Sequence, residues 1–233
     1  MTPRPVDSQN APEAGSTRTV DRAFDLLSAV TDNARGDVRG GTTLSELARA
    51  TELSPATASR LLATLLKRGL VRRDAQGLYR PGLALMQMAA GVLRGEPLYE
   101  LAGGHLVELA AASGETANLG VAVDDDRALY LRQVAGDQRV QTATWTGRTI
   151  PREGTAMGAA LAGRVSADGY AVSRGSLEPD VSAVAAPVRD YHGAVVAALT
   201  ILAPSYRTSE GDVERYGELL VEHAGALSRA LGA

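Results

Sequence analysis

The 233-residue sequence predicts an α+β chain in two parts, a small helical part with a two-stranded hairpin followed by an antiparallel sheet flanked by helices. Three observations carry that prediction. Apolar residues recur at 3/4 spacing through residues 18–30, 44–68 and 81–113, and again over 207–231. From residue 116 to 202 the texture changes to alternating runs rich in Val, Leu and Tyr. Charge divides along with texture. Residues 17–81 hold 11 Lys/Arg and 7 Asp/Glu, whereas residues 82–233 hold 12 and 18. The net charge of −3 argues against a nucleic-acid partner, but its distribution, basic first and acidic after, argues for one in the first part only.

Composition narrows the class. Apolar residues make up 45% of the chain, enough for true cores, yet no apolar run approaches the 18 or so residues of a membrane-spanning helix. The first residues are polar and lack the apolar segment of a secretory signal. Without cysteine there are no disulfides and no thiolate metal site. A cytoplasmic protein with no membrane partner, no cofactor and no metal is expected. Residues 1–16 are rich in Pro, Ser, Asn and Gln and are expected to form a disordered tail.

Residues 17–81 read as one domain. Over 18–30, Val20, Phe24, Leu27 and Val30 form the stripe of a first helix. Residues 31–42 read as a polar, glycine-rich loop carrying Arg35 and Arg39. Leu44, Leu47, Ala48 and Leu53 are the apolar positions of a second helix and the turn after it. Ser54 then stands as N-cap with Pro55 at the first helical position, where its missing N–H costs nothing. Ala58, Leu61, Leu62 and Leu65 are the buried stripe of the third helix, and Gly69 stops it. Its other face carries Ala56, Thr57, Ser59, Arg60, Thr64 and Lys67, which are small, hydroxylated or basic. A hairpin follows, with Arg72, Arg73 and Arg80 around the turn at 74–77. Six Lys/Arg against one acid between Ser54 and Pro81 make the pattern of a winged helix-turn-helix whose second motif helix enters a DNA major groove. Arg60 offers guanine a bidentate fork. The same pattern fits a helical hairpin with a solvated basic face. Glu52 occupies a turn position where glycine is usual, so a looser or strained turn is expected.

Residues 82–97 read as an apolar linker helix that calls for a partner, its own domain or a second subunit. The remaining residues, 98–233, form a second domain. A helix over 98–113 contains Gly103 and Gly104, which weaken it or let another backbone close, and Gly114 ends it. Strands are expected over 116–123 and 128–134 around an acidic turn, over 139–146 with Trp145, and over 170–173, 182–188 and 194–202. A short helix of small residues spans 155–163, and a long helix closes the chain over 207–231.

The order of parts resembles the IclR family of bacterial transcription regulators over nearly the whole length. The stretches that carry the resemblance are the winged helix, the linker helix, residues 114–119 (GETANL), 147–151 (GRTIP) running into 154–158 (GTAMG), 169–171 (GYA), 185–188 (AAPV) and Ala203-Pro204. The resemblance implies a GAF-like effector-binding domain, dimers through the DNA-binding half and linker, and often tetramers through the other half. It also points to Ile150, Ala156, Met157, Ala183, Thr200 and Leu202 as effector-binding residues. Physical reasoning adds Thr155, whose helix start leaves backbone N–H groups for a carboxylate or carbonyl, and Arg132, Thr144 and Trp145 for charge, hydroxyl and stacking surface. The chain departs from the family where residues 163–168 replace a helical insertion, where Ala159 replaces a lysine, and where Ser173-Arg174-Gly175 replace paired acids. A basic edge at Arg174 favours an anionic effector.

The predicted function is thus a sequence-specific regulator that binds double-stranded operator DNA as a homodimer or homotetramer under control of a small-molecule effector. The competing reading is a DNA-binding regulator with no ligand, governed by oligomerisation or abundance. An enzyme is not predicted. His105, His192 and His223 lack metal-like or triad-like spacing, and no P-loop, dinucleotide fingerprint or G-x-S-x-G is present.

Overall fold

The computed structural model describes residues 18–36, 40–139 and 141–233, and this described chain divides after Val92 into two compact units. The expected tail at 1–16 and Arg39 lie outside the described residues.

The first unit contains α1 (Arg18–Gly36), α2 (Leu44–Ala50), α3 (Pro55–Lys67), β1 (Val71–Arg73), β2 (Tyr79–Pro81) and the start of α4 (Leu83–Arg94). Helix α1 runs further than the apolar stripe foretold, so residues 31–36 are helical and Arg35 falls on its last turn. A capping box starts α2: Thr43 N–H donates to Glu46 Oε2 at 2.8 Å while Glu46 N–H donates to Thr43 Oγ1 at 3.3 Å. Leu26, Val30, Leu47, Ala58, Leu62 and Val71 close one core with Tyr79. The wing pairs Arg72 with Arg80 and Arg73 with Tyr79, and Tyr79 also bridges back to Thr42. Its turn is organised by Asp74, whose Oδ1 accepts from the N–H groups of Gln76 and Leu78. Helix α4 buries no residue; Leu83, Met86, Met88 and Val92 are all exposed.

The second unit is a six-stranded, wholly antiparallel sheet in the order β5-β4-β3-β8-β7-β6. Its strands are β3 (Thr116–Ala122), β4 (Arg127–Val134), β5 (Thr149–Pro151), β6 (Ala171–Arg174), β7 (Val181–Arg189) and β8 (Val195–Pro204). Helices α5 (Pro97–Ser113) and α7 (Glu210–Ala230) cover one face over Leu106, Leu119, Leu199, Ile201 and Leu220. Short helix α6 (Ala156–Leu161) covers the other over Ala128, Tyr130, Ile150, Ala185 and Ala198. The chain is therefore α+β, with a curled antiparallel sheet between unequal helical layers. No helix among the described residues is long and apolar enough to cross a membrane.

One expected strand is corrected. Residues 139 and 141–146 form no strand; they loop out, and the pairing passes to β5, which no alternation announced. Gly147 turns the chain at φ +74°, and its N–H donates to Tyr130 O, so the backbone rejoins the β4 edge only after Trp145. The acidic turn forms as expected. Asp124 Oδ1 accepts from the N–H groups of Asp126 and Arg127, and Asp124 Oδ2 pairs with the Arg127 guanidinium.

A bulge fixes side-chain direction in β4. The pairing of β3 with β4 shifts between Leu119 and Gly120, so Leu119 faces Arg132 while Gly120 faces Tyr130. Tyr130 therefore points to the α6 side. Arg132, two residues on, points to the α5 side, where its Nη1 donates to Tyr99 O at 2.8 Å. Its guanidinium fills the space above Gly103, where a Cβ would come within 2.5 Å of it.

Candidate nucleic-acid interface and effector cavity

The predicted reading helix is built as a rigid, capped rod. Ser54 Oγ accepts from Thr57 N–H at 3.2 Å and lies 2.9 Å from Thr57 Oγ1. Thr57 is half-buried with its hydroxyl drawn into that cap, which leaves Ala56, Ser59, Arg60, Thr64 and Lys67 as the exposed face of α3. Thr64 Oγ1 reaches back to Arg60 O at 3.4 Å. In the wing, Arg72 and Arg73 are exposed, and Arg73 is braced by Gly77 O and by the Tyr79 ring. Arg80 differs: its Nε donates to Asp74 Oδ2 at 2.7 Å and its Nη1 to Gly40 O at 2.7 Å, so its charge organises the wing instead of projecting from it. An open groove between the end of α3, β1 and the start of α4 is lined by Lys67, Arg68, Arg72 and Arg73. Arg68 was missed in the sequence because the C-cap position reads as a helix stop; its signal was the Lys67-Arg68 pair. The arrangement presents small and hydroxylated side chains at a helix N-terminus, flanked by four cations, which is the chemistry that base edges and phosphates accept.

The second site is a small, partly open cavity of about 20 Å³ under α6. Trp145, Thr155, Ala156, Met157, Ala183 and Leu202, all predicted, line it together with Tyr130, Ser173, Ser176, Leu177, Glu178 and Val181. Tyr130 and Trp145 form a tilted aromatic pair with centroids 5.8 Å apart. Burial, aided by the nearby negative charge of Glu178, pushes the Tyr130 phenol well up, so it stays protonated. The residues that sequence reasoning missed come mostly from the 173–181 connection, which has no periodicity to flag it.

Four predicted residues fall outside the lining. Arg132 faces α5, as the bulge requires. Thr144 is exposed on the loop before Trp145. Ile150 is packed into the core beside Tyr130 and Met157. Thr200 shares the α6 face of the sheet but lies one row beyond Leu202, paired with Asn118 and Ala185. Thr200 Oγ1 and Asn118 Oδ1 are fully buried and have no hydrogen-bond partner.

The basis for an anionic ligand is also corrected. Two of the first three amides of α6 are already taken: Ala156 N–H donates to Ser173 Oγ at 3.0 Å and Gly158 N–H to Thr155 Oγ1 at 3.1 Å. Arg174 turns outward and forks onto both carboxylate oxygens of Glu210, at 2.7 and 2.8 Å. The one charged side chain in the lining is an acid, Glu178.

The model of the IclR helix-turn-helix domain matches residues 19–75, and that of the bacterial transcriptional regulator IclR C-terminal domain matches residues 90–164 and 162–229. The chain is similar to the HTH-type transcriptional regulator BhcR of Paracoccus denitrificans, 26% identical over an alignment of 261 positions that covers 94% of this chain and 88% of that one. It is also similar to the crystal structure of an IclR transcriptional regulator from Alicyclobacillus acidocaldarius (TM-score 0.77, 27% identity, 92% and 99% of the two chains). An IclR homologue from Microbacterium hydrocarbonoxydans, solved in complex with 4-hydroxybenzoate, shares the fold (TM-score 0.73, 22% identity, 92% and 99%). These relatives are transcription regulators and not enzymes. A winged helix-turn-helix and a curled-sheet domain, each matched by its own family model, together establish that the chain belongs to the IclR family of DNA-binding transcriptional regulators.

Proposed function

We propose that this regulator reads a two-half-site operator through α3 and answers to a small molecule held under α6. Ser59 and Arg60 read base edges, Lys67, Arg68, Arg72 and Arg73 position the duplex, and a second copy of the chain covers the apolar face of α4. Protein of this kind acts in the cytoplasm, where the operator is. The observation that carries the ligand reading is the cavity lining. An aromatic pair, three hydroxyl residues and one carboxylate line a cavity of about 20 Å³ that must open to admit more than a water, with no Lys or Arg among them. That chemistry favours an uncharged or amine-bearing molecule with a flat apolar face over a carboxylate. A homologue of the same fold has been solved in complex with 4-hydroxybenzoate, which supports a small aromatic ligand for a regulator of this kind but, at 22% identity, not its charge here. A ligand under α6 acts by preferring one dimer geometry over another, and roughly 1–3 kcal/mol of preference alters operator affinity about 5–150-fold.

The test is a thermal-shift screen of neutral, amine and carboxylate aromatics. At about 100 times its Kd a ligand stabilises by about 2.7 kcal/mol, or roughly 5–10 °C for a chain of this size. Hits are expected among neutral and amine compounds, with the amine hits lost in Glu178→Gln. Hits confined to carboxylates would overturn the charge assignment. No hits at all, with operator binding indifferent to every compound, favours the ligand-free reading. Footprinting tests the other half: Arg60→Ala is expected to cost about 1–3 kcal/mol and relax one base position.

A further inference from the structure

Helices α5 and α7 bring together three ligating side chains that neither the DNA-reading face nor the cavity uses. His105 Nδ1 and His223 Nδ1 approach to 3.0 Å, with their rings edge-to-face. Glu108 Oε2 lies 3.7 Å from His223 Nδ1. One ligand atom from each of the three residues falls within 4.8 Å of the others. The sequence showed only half of this. His105 and Glu108 stand one helical turn apart on α5, and His223 arrives from a helix more than a hundred residues later.

The arrangement has the parts of a metal site. Two imidazoles that meet nitrogen to nitrogen at 3.0 Å cannot both be protonated there, so at least one presents a lone pair. With Zn–N bonds of about 2.0–2.1 Å and a tetrahedral angle, two ligating nitrogens stand roughly 3.3–3.4 Å apart, so the pair opens by only a few tenths of an ångström to admit the ion. The His223 side chain is 14% exposed and held in place, while that of Glu108 is 69% exposed and free to swing inward. Three ligands on one side and solvent on the other leave a fourth position for water. We propose that His105, Glu108 and His223 form a surface zinc site that clamps α5 to α7.

The experiment uses the full chain, free of any affinity tag and stripped with chelator. The protein has no cysteine and one further histidine, His192, which sits in the β7–β8 turn and serves as the control. Zinc chloride is titrated calorimetrically at pH 7.5, and cobalt(II) is added as an absorbing substitute. One ion per chain is expected, with a melting rise of about 5–10 °C at 100 times the Kd and visible cobalt bands of a four-coordinate site. Magnesium, which prefers oxygen ligands, is expected to do neither. His223→Gln and His105→Gln should abolish both signals, and His192→Gln should keep them. Even outer-shell partners of metal sites cost about 10–100-fold in affinity when lost, so Glu108→Gln should weaken zinc at least that much. Because Glu108 is exposed, that variant keeps its fold. No response of the wild type to zinc, or a response in Glu108→Gln and His223→Gln equal to that of the wild type, overturns the proposal.

Discussion

Glu52 holds the turn between α2 and α3 at φ +54°, the one non-glycine residue with positive φ among the described residues. The turn keeps its tight form, with Leu53 N–H donating to Ala48 O, and the strain is carried by the residue. A left-handed conformation costs an L residue roughly 1–2 kcal/mol, and glycine gives back about 0.5–1 kcal/mol in lost chain entropy. Glu52→Gly should therefore raise stability by up to about 1 kcal/mol, seen as a higher urea midpoint at unchanged slope. Asp74 sets a pH dependence in the wing. Its hydrogen bond from the Arg80 guanidinium, ahead of those from the Leu78 and Gln76 amides, holds its carboxyl below the ordinary 3.8. The folded value lies below the unfolded one, so the contribution is present above about pH 3.8 and is lost as pH falls through the folded value. Carbon-detected NMR should place the Asp74 midpoint below 3.8 in the wild type and nearer 3.8 in Arg80→Ala. Single residues were the least legible scale in the sequence. Strict alternation puts Arg132 on the same face as Tyr130, and only the bulge, a property of two paired strands, separates them. The Gly103-Gly104 pair did hint at a close approach; what comes close at Gly103 is a guanidinium and not a backbone.

Helices and caps were legible because their signals are local. Ser54, Thr155, Gly69 and Gly114 mark helix ends in the sequence and do so in the structure. The same locality misled at Thr155. A helix start implies free amides, but Ser173 reaches the first of them from a strand 17 residues away. The strand expected at 139–146 failed for a related reason: the β4 edge pairs with β5 at Arg127–Leu129 instead, and sheet partners are chosen by the whole sheet. Elements are also fastened at their ends. Glu115, just past α5, receives Arg207 Nε and Nη2 at 2.8 Å each, from the short helical turn that precedes α7. Glu115 is 5% exposed and the Arg207 guanidinium is mostly covered, so removing the carboxylate charge weakens a partly buried pair while Arg207 keeps Tyr206 Oη. Glu115→Gln should cost about 1.5–3 kcal/mol, read as a lower denaturant midpoint for the second unit's transition.

At the scale of the whole molecule, charge is sorted between the units. The basic first unit exposes Val20, Phe24, Leu83, Met86, Met88 and Val92, a set of large apolar side chains that a lone soluble unit rarely leaves bare. Leu83→Glu with Met86→Glu should give a monomer in sedimentation velocity and abolish operator retardation, since one half-site lacks the affinity of two. A wild type that sediments as a monomer at micromolar concentration sinks that expectation. The basic groove at the end of α3 has a practical consequence as well. Lys67 is the sole lysine in the sequence. Apart from the chain's own N-terminus, an amine-directed acylating reagent therefore has a single target, and that target lies on the face assigned to DNA. Peptide mass mapping should find one modified side chain, absent in Lys67→Arg. Operator duplex should slow that modification while leaving the terminal amine untouched, which turns the position of one side chain into a direct chemical readout of occupancy.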